Sequence, residues 1–210
     1  MNTMQEDKIE TVEGESLNSM EIEGGLLLTL LEGVSTHAGK DKSLPTLNAV
    51  EVEGRGGLFI ARATDRYRLI EGQVAAEGGL DKALISLDDT KRIIALLKAT
   101  LIKAHKGRII SLIRLGDALT VSALGDSLTV TLLAGTFPPT EDLFVKGEGE
   151  TIPIASVAFN PAFFTDYAKI AGKGAAVKVY FTGNGKPMRV QITNDTINWR
   201  ALLMPMRYQD

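Results

Sequence analysis

The sequence predicts an α+β protein of three repeated β-α-β-β-β units, whose antiparallel sheets carry their helices on one side. Three observations predict it. One helix-period stretch followed by three alternating, strand-like runs recurs three times, in blocks of about 60 residues. Gly-Asp and Gly-Asn pairs fall between the alternating runs, where hairpins need residues that tolerate tight turns. Hydrophobic residues make up 44 % of the 210 and charged residues 23 %, a balance that suits a soluble globular chain with a sizeable core.

The elements follow in order. In the first unit a short apolar segment, Met20–Glu23, leads through Gly24 and Gly25 into an amphipathic helix over Leu26–Lys40. TLNAVEVE (46–53), GLFIARAT (57–64) and RYRLIEGQVA (66–75) then alternate as strands, with Gly54–Gly57 as a hairpin turn. The second unit opens with the strand ALISL (83–87), and Asp88 or Asp89 can cap a helix that runs through Lys106. RIISLIRL (108–115), ALTVSAL (118–124) and SLTVTLLA (127–134) are its strands, separated by Gly116-Asp117 and Gly125-Asp126. After the linker VKGEGE (145–150), the third unit begins with the strand TIPIASVAF (151–159). Asn160 and Pro161 then form an N-cap and first-turn pair, and the helix stops at Gly172. AVKVYFT (176–182), PMRVQIT (187–193) and INWRALLMPMR (197–207) complete it. This divides the chain into a leader (1–19), a two-unit domain (20–144) and a third unit (151–208). One such unit is too small to close a core alone, so the third lacks a partner.

Composition excludes several classes of function. Cysteine is absent, which removes disulfides, thiolate metal sites and cysteine nucleophiles. Neither histidine, His37 nor His105, has a second ligand at metal-binding spacing, and both read as isolated side chains, His105 as a surface residue. No cofactor is implied. The N-terminus lacks an apolar signal core and no apolar run approaches a membrane span, so the expected location is cytoplasmic and no membrane partner is expected. The net charge of −3 conceals an asymmetry: residues 1–23 hold seven acids against Lys8, and the remainder is net positive. Such an acidic leader reads as a disordered, solubilising tail, while the mildly basic remainder permits an anionic partner.

The candidate motifs are few. GRGG (54–57) and GNGK (183–186) look like phosphate loops, but neither lies between a strand and a helix, and both are explained as hairpin turns. Asp65 has no catalytic partner at useful spacing and fits a turn between strands. The chain therefore does not read as an enzyme. The second helix carries Lys91, Arg92, Lys98, Lys103 and Lys106 opposite its apolar stripe, and the third adds Lys169 and Lys173. Such a face is either a solvated surface or a contact for nucleic-acid phosphates.

Three segments together resemble a known family. LMPMR (203–207) resembles the terminal MPMR of the bacterial sliding clamp, the DNA polymerase III beta subunit. TDRYRL (64–69) resembles that family's TDGHRL-type segment, and TFPPTEDLF (136–144) its RFPDYRRVL-type segment. The resemblance covers the family's middle domain with the first two units and the second half of its last domain with the third; it is a shortened version. It implies a DNA-clamp-like fold and an apolar pocket for the short peptides by which polymerases, the clamp loader and repair proteins attach. By position, Leu47, Thr64, Arg68, Leu69, Pro138, Leu143, Leu202, Leu203, Met204, Pro205 and Met206 would line that pocket. It also implies that Lys91, Arg92, Lys98, Lys103, Lys106, Lys169 and Lys173 meet duplex DNA through its phosphates, blind to sequence. Arg66 and Tyr67 replace the family's Gly-His, Asp142 stands where an arginine is usual, and Arg189 falls near a position usually small and polar.

Two readings of function follow. One is a processivity factor that encircles duplex DNA as a homo-oligomeric ring; a family ring has twelve units, which four such chains would supply, the third unit completing a domain across a subunit interface. The other is a truncated clamp mimic, an adaptor or decoy that captures clamp-binding peptides without encircling DNA.

Overall fold

A computed structural model describes residues 18–101, 106–145, 157–172, 174–181, 183, 185–192 and 196–207. Lys103, His105, Lys173, nearly all of the acidic leader, the VKGEGE linker after Val145 and most of TIPIASVAF lie outside the described residues. The first unit comprises β1 (Ser19–Glu23), α1 (Gly24–Ser35), β2 (Ala49–Arg55), β3 (Leu58–Thr64) and β4 (Arg68–Ala75). The second comprises β5 (Glu77–Ser86), α2 (Leu87–Thr100), β6 (Ile109–Leu115), β7 (Ala118–Ala123) and β8 (Asp126–Thr131). A short α3 (Glu141–Val145) follows, then α4 (Pro161–Ala171), β9 (Val177–Tyr180), β10 (Met188–Ile192) and β11 (Asn198–Leu203).

All the described strands join one antiparallel sheet of 11, in the order β8-β7-β6-β1-β5-β2-β3-β4-β11-β10-β9. The first two units exchange their opening strands. β1 pairs with β6 of the second unit, β5 pairs with β2 of the first, and β1 and β5 pair with each other at the seam. The third unit joins through its last strand, β11, which runs antiparallel to β4 with Leu202 opposite Leu69.

Period-two alternation gives the sheet two different faces. Val50, Val52, Ala61, Ala63, Ile70, Trp199 and Ala201 point towards α1, α2 and α4 and are buried in the main core. α1 lies on β1–β4 and touches both α2 and α4, so the three helices share one face. At Gly33 and Gly72 the backbone passes so close to the Trp199 ring that a Cβ would collide with it. The other face carries Glu51, Glu53, Arg62 and Glu71 in alternate register, and the segment leading into α3 crosses it. Leu133 donates its amide to the Leu84 carbonyl (2.8 Å) at the start of that strap, and Phe137 and Phe144 pack on Ala49, Leu69, Leu84 and Leu202.

Several expectations are corrected. The cap of α2 is Ser86, whose hydroxyl accepts the Asp89 amide (3.0 Å), because β5 runs directly into the helix and puts the serine at the boundary. α2 ends at Thr100, well before Lys106, which sits in the turn ahead of β6. α1 starts at Gly24 and stops at Ser35, short of Lys40; the amides of Gly24 and Gly25 are satisfied by the Arg108 and Lys106 carbonyls (both 2.8 Å). β5 begins at Glu77, not Ala83, because its early residues pair with β1. The final strand stops at Leu203 ahead of Pro205, which has no amide to continue the ladder. His37 is fully buried rather than isolated.

Candidate functional site: an apolar cavity beneath the strap

Register places Leu69 of β4 beside Leu202 of β11 on the face away from the helices, and the two form an apolar floor. Leu47, from the connection between α1 and β2, closes one side. Pro138, Pro139, Thr140 and Leu143 of the strap close another, and Met204 and Pro187 a third. Together with the turn between β3 and β4 they enclose a cavity of about 210 Å³. Its floor is buried while its mouth keeps large apolar groups in water: Tyr67 is 60 % exposed, Leu143 44 % and Met204 38 %.

The β3–β4 turn is held rigidly. Asp65 Oδ1 accepts the amides of Tyr67 and Arg68 (both 3.0 Å), and the Thr64 hydroxyl donates to the Arg68 carbonyl (2.8 Å) while accepting the Arg66 amide (3.2 Å). Asp65 is thus a turn former. Arg66 takes a left-handed backbone (φ 79), a conformation that favours the glycine expected there from the resemblance. The Arg68 guanidinium is bound on three sides: by Asp65 (3.0 Å), by Asp166 of α4 (2.7 Å) and by the Thr36 carbonyl at the end of α1 (2.7 Å). It also stacks over the Phe163 ring at 4.5 Å. Arg68 therefore ties the cavity wall to the helix face.

The strap is fastened by charge. Glu141 reaches Lys82 (3.2 Å), Arg55 (3.5 Å) and the buried Arg62 (3.7 Å). Arg62 in turn contacts Glu71 (2.6 Å), Glu51 (2.9 Å) and Glu53 (3.3 Å), and Glu71 also binds Arg200 (2.6 Å). Burial alone would raise the Glu71 pKa, but its hydrogen bonds from Arg200 and Arg62 outweigh that and hold it below the usual range.

Eight residues named from the sequence, Leu47, Thr64, Arg68, Leu69, Pro138, Leu143, Leu202 and Met204, surround this cavity. Leu203 does not: one step along the strand reverses the side chain, and it is fully buried in the helix-side core. Pro205 and Met206 lie past the strand, where the Met206 amide donates to the Ala158 carbonyl (2.8 Å). Arg66 and Tyr67, named from the sequence only as departures from the family's Gly-His, also line the cavity, as do Pro139, Thr140 and Pro187, which were not named for it. Pro187 arrives through the β10–β11 pairing (Met188 opposite Leu203), a contact that no local motif announces.

On the helix face, Lys98 and Lys169 border one groove of about 460 Å³ between α1, α2 and α4. Each candidate cation on α2 and α4 has an acidic neighbour: Lys91 with Asp88 (3.7 Å), Arg92 with Asp89 (2.6 Å), Lys98 with Glu32 (2.7 Å) and Lys169 with Asp166 (3.3 Å). Lys106 is exposed in its turn. Among the described residues there is no cluster of three or more histidine or acidic side chains that could hold a metal ion. None of their helices is long and apolar enough to cross a membrane.

No family model and no curated protein matches the sequence. The fold does match solved structures along nearly its whole length. Against the DNA polymerase III beta subunit of Thermotoga maritima the TM-score is 0.78 at 18 % identity, covering 98 % of this chain and 70 % of that one. The DNA polymerase sliding clamp of Bacillus subtilis gives 0.74 at 16 % identity, covering 97 % and 68 %. A DnaN sliding clamp from Pseudomonas aeruginosa, bound to griselimycin, gives 0.74 at 14 %, covering 96 % and 69 %. The chain therefore carries, in shortened form, the α+β fold of the bacterial DNA polymerase III beta subunit sliding clamps.

Proposed function

We propose that the chain is the subunit of a sliding clamp: a non-catalytic processivity factor that assembles into a homo-oligomeric ring around duplex DNA in the cytoplasm. Its apolar cavity receives short clamp-binding peptides of replication proteins such as a polymerase and a clamp loader. The observation that carries this reading is the correspondence of nearly the whole chain with sliding clamps, with α1, α2 and α4 gathered on one face of a continuous sheet. Helices on a common face give a ring an inner wall, and their lysines meet phosphates without reading bases. The cavity suits a short apolar peptide, being floored by leucines and rimmed by Tyr67, Met204 and Leu143.

A second reading has its own support. Because Lys91, Arg92, Lys98 and Lys169 are each paired with an acid, the helix face is less positive than its lysines suggest. That favours an adaptor or decoy that keeps the cavity and never surrounds DNA.

Topology separates the two. Full-length protein is diluted to part its subunits, mixed with nicked circular DNA, concentrated and passed over a sizing column. A ring stays with the circle and is released when the DNA is cut once. Retention that is equal on circular and linear DNA, or absent on both, overturns encirclement and leaves the adaptor.

A further inference from the structure

The strand exchange that locks the first two units together is left half-made in the third. In each of the first two units the second strand is covered by the opening strand of the other: β2 by β5, and β6 by β1. The registers are equivalent. Counting back from the helix start, Ile22 lies opposite Ile110 and Met20 opposite Leu112; in the other half Ile85 lies opposite Val50 and Ala83 opposite Val52. In the third unit the second strand is β9, which among the described strands pairs with β10 alone and ends the sheet. Its opening segment, described over Val157–Phe159, pairs on one side through Ala158 with Met206. By equivalent register that is the side on which β1 meets the start of β5; on the side on which β1 meets β6, no described strand pairs with Val157–Phe159.

Packing carries the same message. Met20, Ile22, Val50, Val52, Ile110 and Leu112 are at most 2 % exposed. Their third-unit counterparts, Val157, Phe159, Val177 and Val179, are only half-buried, as are Phe164 and Phe181 beside them. The third unit thus has an open strand edge and an apolar layer that an exchanged unit would cover.

We infer that the third unit of one chain docks on the third unit of a second copy by reciprocal strand exchange, with Val157–Phe159 of each laid along β9 of the other. The occupant is a second copy because the missing element is an opening strand and a second strand of this same pattern, and the third unit offers both at once. Equivalent register puts Phe159 opposite the partner's Val177, Val157 opposite its Val179 and Ala158 opposite its Lys178. The contact is twofold, each patch meeting itself, so β8 remains as the other free end of the sheet. β8 is the last strand of its unit, as β4 and β11 are of theirs, and those two already pair antiparallel. A β8-to-β8 contact of the same kind alternating with the exchange closes a ring from an even number of chains. This deepens the ring reading, though the exchange itself needs no DNA.

The absence of native cysteine makes the register directly testable. The full chain is prepared with Ala158→Cys and Lys178→Cys together and with each alone, then treated with oxidised glutathione, and its mass is followed by light scattering. Within one chain Ala158 pairs with Met206 and Lys178 with Gln191, so the two positions do not face each other, and a disulfide needs Cα atoms within about 7 Å. Expected is a reducible dimer from the double variant and from an equimolar mixture of the single variants, with neither single variant cross-linking by itself. Hydrogen exchange on the unsubstituted chain gives an independent reading, with β9 amides protected at high protein concentration and released on dilution. An oligomer without the cross-link and without β9 protection overturns the exchange and leaves the ring. A monomer at all concentrations overturns both.

Discussion

His37 is fully buried beside Tyr167, with ring centroids 5.3 Å apart, and its Nδ1 lies 2.8 Å from the Thr36 hydroxyl. Its Nε2 has no hydrogen-bond partner. Burial, helped by the nearby Arg68 cation, pushes its pKa from 6.5 down to about 3. Between those values the unfolded chain binds a proton that the folded chain refuses, so stability is complete above pH 6.5 and is lost as pH falls towards 3. By pH 5 the loss, relative to well above pH 6.5, is about 2 kcal/mol, since a full pH unit below the unfolded pKa is worth about 1.4 kcal/mol. Replacing His37 by Leu should flatten the dependence over this interval in urea titrations, whatever its effect at pH 7.5; an unaltered slope would assign the proton to another group. Neither His37 nor Arg62 announced its role in the sequence. Tyr167 stands 130 residues from His37 in the numbering. Arg62 sits in GLFIARAT as one cation in an apolar strand, and VEVE reads as a strand with one wet face. The strap that covers that face comes from residues 136–145, so the burial of Glu51, Glu53 and Arg62 is a property of the tertiary fold alone.

Elements were legible where local chemistry decides them. Gly56 and Gly57 (φ 59 and 76), Gly116 (φ 57) and Gly125 (φ 97) hold the hairpins assigned to them, because turns of this kind need left-handed backbone. Asn160 caps α4 as its position before Pro161 suggests, its Oδ1 accepting the Ala162 amide (3.0 Å). Pairing across the units was hidden. Glu77–Lys82 carries two glycines and three charges and looks like a loop, yet it is strand because β1 lies against it, with Gly78 so close to the Ser19 carbonyl that a side chain would clash. The continuous passage of β5 into α2 moves the cap to Ser86, whose hydroxyl also donates to Asp89 Oδ2 (2.8 Å). Ser86→Ala should therefore cost about 1 kcal/mol in chemical denaturation. Asp88→Ala, at one of the two caps suggested by sequence, should cost clearly less; the reverse ranking would return the cap to Asp88.

At the scale of the whole molecule, the three-unit repeat was visible because each unit repeats its own periodicity, and part of the cavity wall through the resemblance of three short segments to a family. Sheet order was not visible, since exchange of β1 and β5 leaves no mark on either strand's pattern. Nor was the neutralisation of Lys98, because its partner Glu32 belongs to a different helix, whereas Lys91, Arg92 and Lys169 each pair three residues away on their own helix. The pair of Lys98 and Glu32 offers the sharpest test of which way the helices face. Both side chains are exposed, 58 % and 43 %, so the contact adds little to stability, about 0–1 kcal/mol. Glu32→Gln leaves the fold intact and frees one ammonium on the groove between α1, α2 and α4. If that surface meets phosphates, the substitution adds roughly one counterion to those released on binding, and the slope of log K against log salt steepens by about 0.9. DNA affinity should then rise at low salt and converge with the parent at high salt, as read by fluorescence anisotropy on a labelled duplex. Lys98→Gln should move the slope no further than the parent's, since that lysine is already paired. Indifference of DNA binding to Glu32→Gln would mean that the helices do not face the duplex, and the cavity on the opposite side of the sheet would then carry the function alone.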